Sequence, residues 1–275
     1  MGYNGAAPNA TASVTLPSRP TLLQACTDFA DEAAIEIMRI YAGDLGTRTK
    51  ADSSPVTDAD QAAETIILRG LRALTPATPI IAEEEMAAGH VPVLDGGPFW
   101  LVDPLDGTKE FIKRNGEFTV NIALIEDGRP TVGVVLAPAT ETLWRGAIGL
   151  GAEKREGKGP YRPIRTRPAP PAGLTACASR SHSIYSDLDI WFRNNNLTVA
   201  DRVQAGSSLK FRLIAEGKAD IYPRFGPTSD WDTAAGQAVL EAAGGEVVKT
   251  DGRPLTYGHP PFLNPHFIAR SKDAR

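Results

Sequence analysis

The sequence predicts an α/β fold of the α+β kind, built in two lobes, and three observations carry the prediction. Two long segments near the start place apolar residues at helical spacing, a middle block reads as antiparallel strands joined by short turns, and strand and helix patterns then alternate to the end. A chain of 275 residues with 42% hydrophobic content can also bury a large core divided between two units.

Residues 1–19 are expected to form a disordered tail, because they are rich in Ala, Gly, Asn, Thr and Pro. No lysine or arginine precedes Arg19, so the charged leading region of a signal peptide is missing. Pro20 to Ala42 carries Leu22, Leu23, Cys26, Phe29, Ala33, Ile37 and Ile40 at helical spacing, and Asp58 to Leu74 repeats the pattern behind a Thr57 cap. Between them, Arg48 to Asp60 is polar and reads as a loop. Pro79-Ile-Ile-Ala is a short apolar strand that delivers Glu83-Glu84-Glu85, and Phe99-Trp-Leu-Val is a buried strand that delivers Asp103. Phe118 to Ile125, Thr131 to Ala137 and Leu143 to Ile148 follow as an antiparallel meander.

Glu153 to Arg167 then concentrates Lys154, Arg155, Lys158, Arg162, Arg165 and Arg167 and gives way to Pro168-Ala-Pro-Pro-Ala-Gly173. This basic, then proline-rich, stretch is the expected lobe boundary, with an α+β metal-binding lobe over 20–166 and an α/β substrate lobe over 167–275. In the second lobe Leu174 to Ala178, Tyr185 to Asn194, Leu197 to Val203, Ser207 to Glu216, Ala219 to Tyr222, Trp231 to Ala243 and Glu246 to Lys249 alternate between strand and helix patterns. There is no internal repeat.

Composition excludes several classes of function. A net charge of −4 argues against a general nucleic-acid binder, which carries a basic surplus. No apolar run approaches the ~20 residues needed to cross a bilayer. Cys26 and Cys177 each sit in an apolar pattern and are expected to be buried thiols, not a disulfide, which fits a reducing cytoplasm.

The chemistry concentrates at Asp103-Pro-Leu-Asp106-Gly-Thr108. Pro104 and Gly107 turn the chain where a strand ends, bringing two carboxylates together, and two like charges so close call for a cation. Glu83 and Asp232 are further candidate ligands from other segments. An all-oxygen set favours magnesium, manganese or calcium over zinc or copper, with magnesium the leading choice. An EF-hand is excluded, since Leu105 stands at its third position and no glutamate closes a twelve-residue loop. A bare Asp-x-x-Asp is more often a turn or a helix cap.

The wider pattern decides between these readings. Glu83-Glu84, Asp103-Pro-Leu-Asp106-Gly-Thr108 and Trp231-Asp232-Thr-Ala-Ala-Gly236, in that order, resemble the motifs of the inositol monophosphatase superfamily. Lys109 to Asn121, Ser179-Arg-Ser-His182 and Gly206-Ser-Ser-Leu-Lys210 are similar to its bacterial 3'(2'),5'-bisphosphate nucleotidase branch, and the likeness runs from Leu22 to Phe267. The resemblance implies a layered α-β-α-β-α sugar-phosphatase fold with the active site between the lobes. It implies that Glu83, Asp103 and the Leu105 carbonyl hold one magnesium ion and that Asp103, Asp106 and Asp232 hold a second. A third, looser ion near Glu83 and manganese as a substitute are compatible with it.

By the same resemblance, Asp60, Glu83 and Thr108 act in catalysis, Thr108 holding the attacking water and Asp60 accepting the Thr108 proton. Leu105, Asp106, Gly107, Thr108, Ser179, His182, Gly206, Lys210 and Asp232 contact substrate, with Arg180 and Arg224 in support. The free amides of a helix opened by Gly206 suit an anion, and Lys210 in its first turn needs a negative partner. The implied partner is a small phosphorylated nucleotide, met by a monomer or homodimer. The implied reaction removes the 3'-phosphate of adenosine-3',5'-bisphosphate, or of its sulfated precursor, to recycle a by-product of sulfate assimilation, with lithium sensitivity. Peripheral inner-membrane association is suggested by the resemblance alone. Glu85-Met-Ala-Ala-Gly89 looks more like the inositol-phosphatase version, so an inositol monophosphatase or a fructose-1,6-bisphosphatase is the alternative enzyme. A nucleotide-binding regulator without catalysis is the alternative of another class, disfavoured by the intact acidic set.

Overall fold

The computed structural model describes residues 15–51, 53–179 and 185–274. Helix α1 (Arg19–Tyr41) starts where Ser18 Oγ accepts the Thr21 amide and Pro20 occupies the first turn; the expected tail up to residue 14 lies outside the described residues. A two-residue hairpin, β1 (Arg48–Thr49) with β2 (Pro55–Val56), interrupts the polar stretch expected to be a loop. Helix α2 (Asp58–Leu74) opens on a capping box in which Thr57 and Asp60 bond each other.

A seven-stranded sheet follows. It runs in the order β3 (Ile80–Ala82), β4 (Phe99–Asp106), β5 (Thr119–Glu126), β6 (Arg129–Ala137), β7 (Thr142–Ala147), β8 (Gly151–Glu156) and β9 (Arg162–Ile164). Only the β3–β4 pair is parallel. Two one-turn helices leave this sheet at its working end, α3 (Glu83–Ala87) from β3 and α4 (Thr108–Ile112) from β4. The basic stretch expected to be a boundary loop is in part the edge hairpin β8–β9. Two of its cations are engaged across the fold: Lys154 reaches Glu216 at 3.3 Å, and Arg155 bonds Asp31 with both guanidinium arms.

Beyond Gly173 a five-stranded sheet is ordered β11 (Val199–Ala205), β10 (Leu174–Ser179), β12 (Ile221–Arg224), β14 (Phe267–Ser271), β13 (Gly245–Lys249). The chain between these strands forms α5 (Tyr185–Asn194), α6 (Leu209–Ala215) and α7 (Asp230–Ala242). Strand β14 escaped the sequence reading, which stopped at Lys249.

Three apolar clusters stack these elements into layers. One joins α1 and α2 to one face of the large sheet, through Cys26, Ile37, Ile67, Leu71, Trp100 and Ile122. A second joins its other face to α6, α7 and the small sheet, through Leu101, Phe211, Val239 and Phe267. A third packs Leu188 and Phe192 of α5 on the far face of the small sheet against Leu174 and Ile268. The result is the α-β-α-β-α arrangement. Gly133 and Gly146 let α7 lie close against the large sheet; a Cβ on Gly133 would stand 2.5 Å from that of Ala238. Both cysteines are buried and free. Among the described residues no helix is long and apolar enough to cross a membrane.

Candidate active site

Each acidic residue singled out by the sequence is delivered by the end of a regular element. Strand β4 carries Asp103, which is 1% exposed, and Asp103 Oδ1 accepts the Leu105 amide at 3.0 Å across the Pro104 turn. The register against β5 slips between Asp103 and Asp106, a bulge that turns Asp106 into the cleft, and Gly107 follows at φ 96°. A Cβ there would meet the Glu117 carbonyl at 2.9 Å, so this turn requires glycine for both backbone and space. Thr108 then opens α4, whose Phe111 is clamped between Tyr41 and Phe118 with ring centroids 4.9 Å from each.

Asp60 and Asp232 share a design. Each is the third residue of its helix and gives one carboxylate oxygen to the amide of the capping residue: Asp60 Oδ2 to Thr57 at 2.7 Å, Asp232 Oδ2 to Ser229 at 2.8 Å. The other oxygen of Asp60 accepts the Thr108 hydroxyl at 3.2 Å. Glu83, Asp103, Leu105, Asp106, Gly107, Thr108 and Asp232 all line one cleft of about 430 Å³. It continues into a narrower pocket of about 130 Å³ bounded by Asp106, Gly206, Lys210, Tyr222, Arg224 and Asp232.

The electrostatics are those of carboxylates short of a counter-charge. Burial, then the charges of Glu83, Asp106 and Asp232, pushes Asp103 well above the usual carboxylate range. Burial and then Asp106 do the same to Asp232. Asp106 is raised by burial but relieved by the Ser207 hydroxyl, which donates to its Oδ2 at 2.7 Å, and by Lys210. Among the described residues no three acidic, histidine or cysteine side chains converge into a ready-made metal cage. Glu83 is instead turned to Lys50, whose ammonium stands 2.7 Å from it and 2.6 Å from Glu84. The oxygen donors still fit a divalent ion, since Asp103, Asp106 and Asp232, all held above the usual carboxylate range, share one cleft.

The substrate side differs from the expectation in one respect. The Gly206 amide is not free, because Glu117 Oε2 accepts it at 2.9 Å, and Ser207 at φ 50° delays the helix until Leu209. Lys210 turns back so that its ammonium caps the Ala205 and Ser207 carbonyls beneath the Tyr222 ring; burial lowers its pKa to about 8. Arg224 donates to the Pro227 carbonyl at 3.0 Å, and its buried Nε has no hydrogen-bond partner among the described residues. Ser179 ends β10 with its side chain outside the described residues, and Arg180 and His182 lie outside them altogether.

Sequence reasoning missed Lys50, which carries no local signal: it meets Glu83 and Glu84 only because the β1–β2 hairpin folds over the cleft. It also missed Glu64 on α2 and the hydroxyl network in which Thr119 and Ser208 meet at 2.8 Å and Ser208 reaches Asn121 at 2.9 Å.

With this fold and this site, the chain belongs to the inositol monophosphatase family, whose sequence profile matches residues 20–273. Within the family its resemblance is to bisphosphate nucleotidases. It is 47% identical over 249 residues to the 3'(2'),5'-bisphosphate nucleotidase CysQ of Escherichia coli K12, a match covering 90% of this chain and 98% of that one. The crystal structure of CysQ from Bacteroides thetaiotaomicron superimposes with a TM-score of 0.77 at 37% identity, over 92% of this chain and 97% of that one. The inositol monophosphatase of Anabaena (Nostoc) sp. PCC 7120 matches with a TM-score of 0.73 at 27% identity, over 92% of each chain.

Proposed function

We propose that this protein is a magnesium-dependent 3'(2'),5'-bisphosphate nucleotidase that converts adenosine-3',5'-bisphosphate to AMP and phosphate in the cytoplasm. The observation that carries the reading is the cleft's second end. Beyond the carboxylates, the same cleft continues into a pocket lined by Lys210 and Arg224, which now donate to backbone carbonyls and would turn to an anionic group other than the phosphate being removed. A substrate with two phosphates uses both ends, whereas inositol-1-phosphate uses one. The 47% identity to a protein of that activity supports the choice of nucleotide. Residues 85–89, whose sequence looks more like inositol phosphatases, line neither part of the cleft.

Glu83, Asp103, the Leu105 carbonyl, Asp106 and Asp232 are the groups that would hold divalent ions, and Glu83 would have to leave Lys50 to take part. Such ions, when bound, acidify a water and neutralise phosphoryl oxygens. The chain's own groups do the rest. Thr108, its hydroxyl proton directed to Asp60, offers a lone pair to the attacking water and fixes its approach in line with the scissile bond. The water proton passes to Thr108 and that of Thr108 to Asp60, whose raised pKa suits it as acceptor. The water oxygen forms the new P–O bond and keeps its second proton on the released phosphate, the bond to the ribose 3'-oxygen breaks with its electron pair, and that oxygen takes a proton from solvent while Asp60 returns the relayed one to solvent. Lys210 and Arg224 hold the remaining phosphate and set the register.

Phosphate release from adenosine-3',5'-bisphosphate, inositol-1-phosphate and fructose-1,6-bisphosphate tests the assignment. The nucleotide should have the highest kcat/KM, and Lys210→Met should lower its kcat/KM far more than that of inositol-1-phosphate. A higher kcat/KM for inositol-1-phosphate would reverse the reading.

A further inference from the structure

Helix α2 presents two buried carboxylates on one face, Asp60 and, one turn later, Glu64, which is 5% exposed. Asp60 is used by Thr108. Glu64 has a different target: its Oε2 accepts the Glu84 amide at 2.8 Å and its Oε1 the Glu85 amide at 2.9 Å. Both amides belong to the first turn of α3, where backbone donors have no partner inside the helix. The residue at the helix cap is Ala82, which has no side chain to satisfy them. Glu64 therefore serves as the cap of a helix distant in sequence, with one carboxylate oxygen per amide.

This arrangement is electrostatically unfavourable unless it does something. Burial, with Glu84 and Glu85 close by, pushes Glu64 up to about 7, and among the described residues no lysine or arginine pairs with it. Strand β3 runs into α3 without a linker, so Glu83 is both the first residue of α3 and the one lining the cleft. The orientation of that first turn is the direction in which Glu83 points.

We propose that Glu64 is a positioning residue for the metal site: by gripping the Glu84 and Glu85 amides it aims Glu83 into the cleft, and because Asp60 lies one turn away on the same helix, α2 holds the metal side and the Thr108 side in register. The inference rests on the reading of Glu83 as a metal ligand and assigns a role to a residue outside the motifs. Residues that orient a ligand in this way typically contribute about 10- to 100-fold to metal affinity.

The test uses the full-length protein and reads the magnesium-dependent rise in Tm, which needs no substrate. Glu64→Gln keeps the size but offers one acceptor and turns an NH2 towards an amide, and Glu64→Asp keeps the charge but is too short to reach both amides. Each should weaken magnesium binding about 10-fold while kcat at saturating magnesium stays within about three-fold of wild type. Because Glu64 acts through Glu83, Glu64→Gln should weaken binding little further in a Glu83→Gln background. A merely structural role would lower Tm equally with and without magnesium. Wild-type magnesium affinity in Glu64→Asp, or equal losses in the two backgrounds, overturns the proposal, and Glu64→Asp carries the test if Glu64→Gln does not fold. Asp106→Asn is the control: if it weakens magnesium binding and the Glu64 variants do not, this inference alone fails, and if Asp106→Asn has no effect the metal-site reading itself is wrong.

Discussion

Asp60 and Asp232 owe their positions to helix initiation and their reactivity to what lies beyond it. A capping box places a carboxylate at the third helical position for local reasons; Asp232 also lines the cleft, and Asp60 reaches it through the Thr108 hydroxyl. The roles can be separated kinetically. Asp106→Asn or Asp232→Asn removes a charge that draws a divalent ion, so half-saturating magnesium should rise steeply. Thr108→Ala removes only a hydroxyl, so kcat should fall on the order of 100-fold with magnesium affinity little changed. Asp60→Asn should match it, and the double variant should be barely worse than either single one, as expected for groups acting as a unit. Multiplicative losses in that double variant would dismiss the Asp60–Thr108 relay. Stability adds a pH signature. Asp103 and Asp232 have raised pKa values in the folded chain, so without metal the native state binds more protons than the unfolded one and loses stability as pH rises above the ordinary value of about 4. In EDTA, Asp232→Asn should therefore melt above wild type at pH 8, with the advantage fading towards pH 4. Saturating magnesium should reverse the order, which calorimetry can follow.

At the level of elements, the turn between β4 and α4 is the most constrained. Gly107→Ala forces a side chain into left-handed backbone against the Glu117 carbonyl, at a cost of about 1–3 kcal/mol read from the urea midpoint. It should also lower kcat, because Thr108 follows directly. Helix α2 was legible to the residue, since a Thr57 cap and a clean 3.6-residue period act locally. The β8–β9 hairpin was not. Its residues sit at a sheet edge, where Lys154 and Arg155 leave to pair with Glu216 and Asp31, so no alternation of apolar residues marks it. Helix α6 came out shorter than its pattern because Ser207 adopts a left-handed conformation while its hydroxyl bonds Asp106, a contact 101 residues away.

Across the whole molecule, α7 is the shared wall. Its first turn carries Asp232 at the cleft, and the helix packs between the two sheets, so one element touches both the metal side and the substrate side. Gly133→Val, which pushes α7 from the large sheet, should cost about 1–3 kcal/mol in denaturant and raise half-saturating magnesium as Asp232 shifts. The metal requirement belongs to this scale as well, because its proposed ligands come from three separate segments: Glu83 after β3, Asp103 to Asp106 on β4, and Asp232 on α7. Phosphate release should vanish in EDTA, return with magnesium, return in part with manganese, and fall in lithium; full activity after exhaustive chelation would rule out the metal mechanism.

The sequence by itself predicted an α/β fold in two lobes and most helix and strand positions, because periodicity, caps and turn residues act over a few positions; it also singled out the acidic set Glu83, Asp103, Asp106 and Asp232, while the layered order came from the family resemblance. Its length and order of motifs also sufficed to reach the family. Only the tertiary structure decided what each acid faces: that Lys50 pairs with Glu83 and Glu84, that Glu117 takes the Gly206 amide, that Glu64 caps α3, and that Lys210 folds back beneath Tyr222. These contacts join segments tens of residues apart. They form where chain ends from two sheets meet in a buried cleft, and there each carboxylate or amide takes the partner that best offsets its lost hydration, which no local pattern encodes.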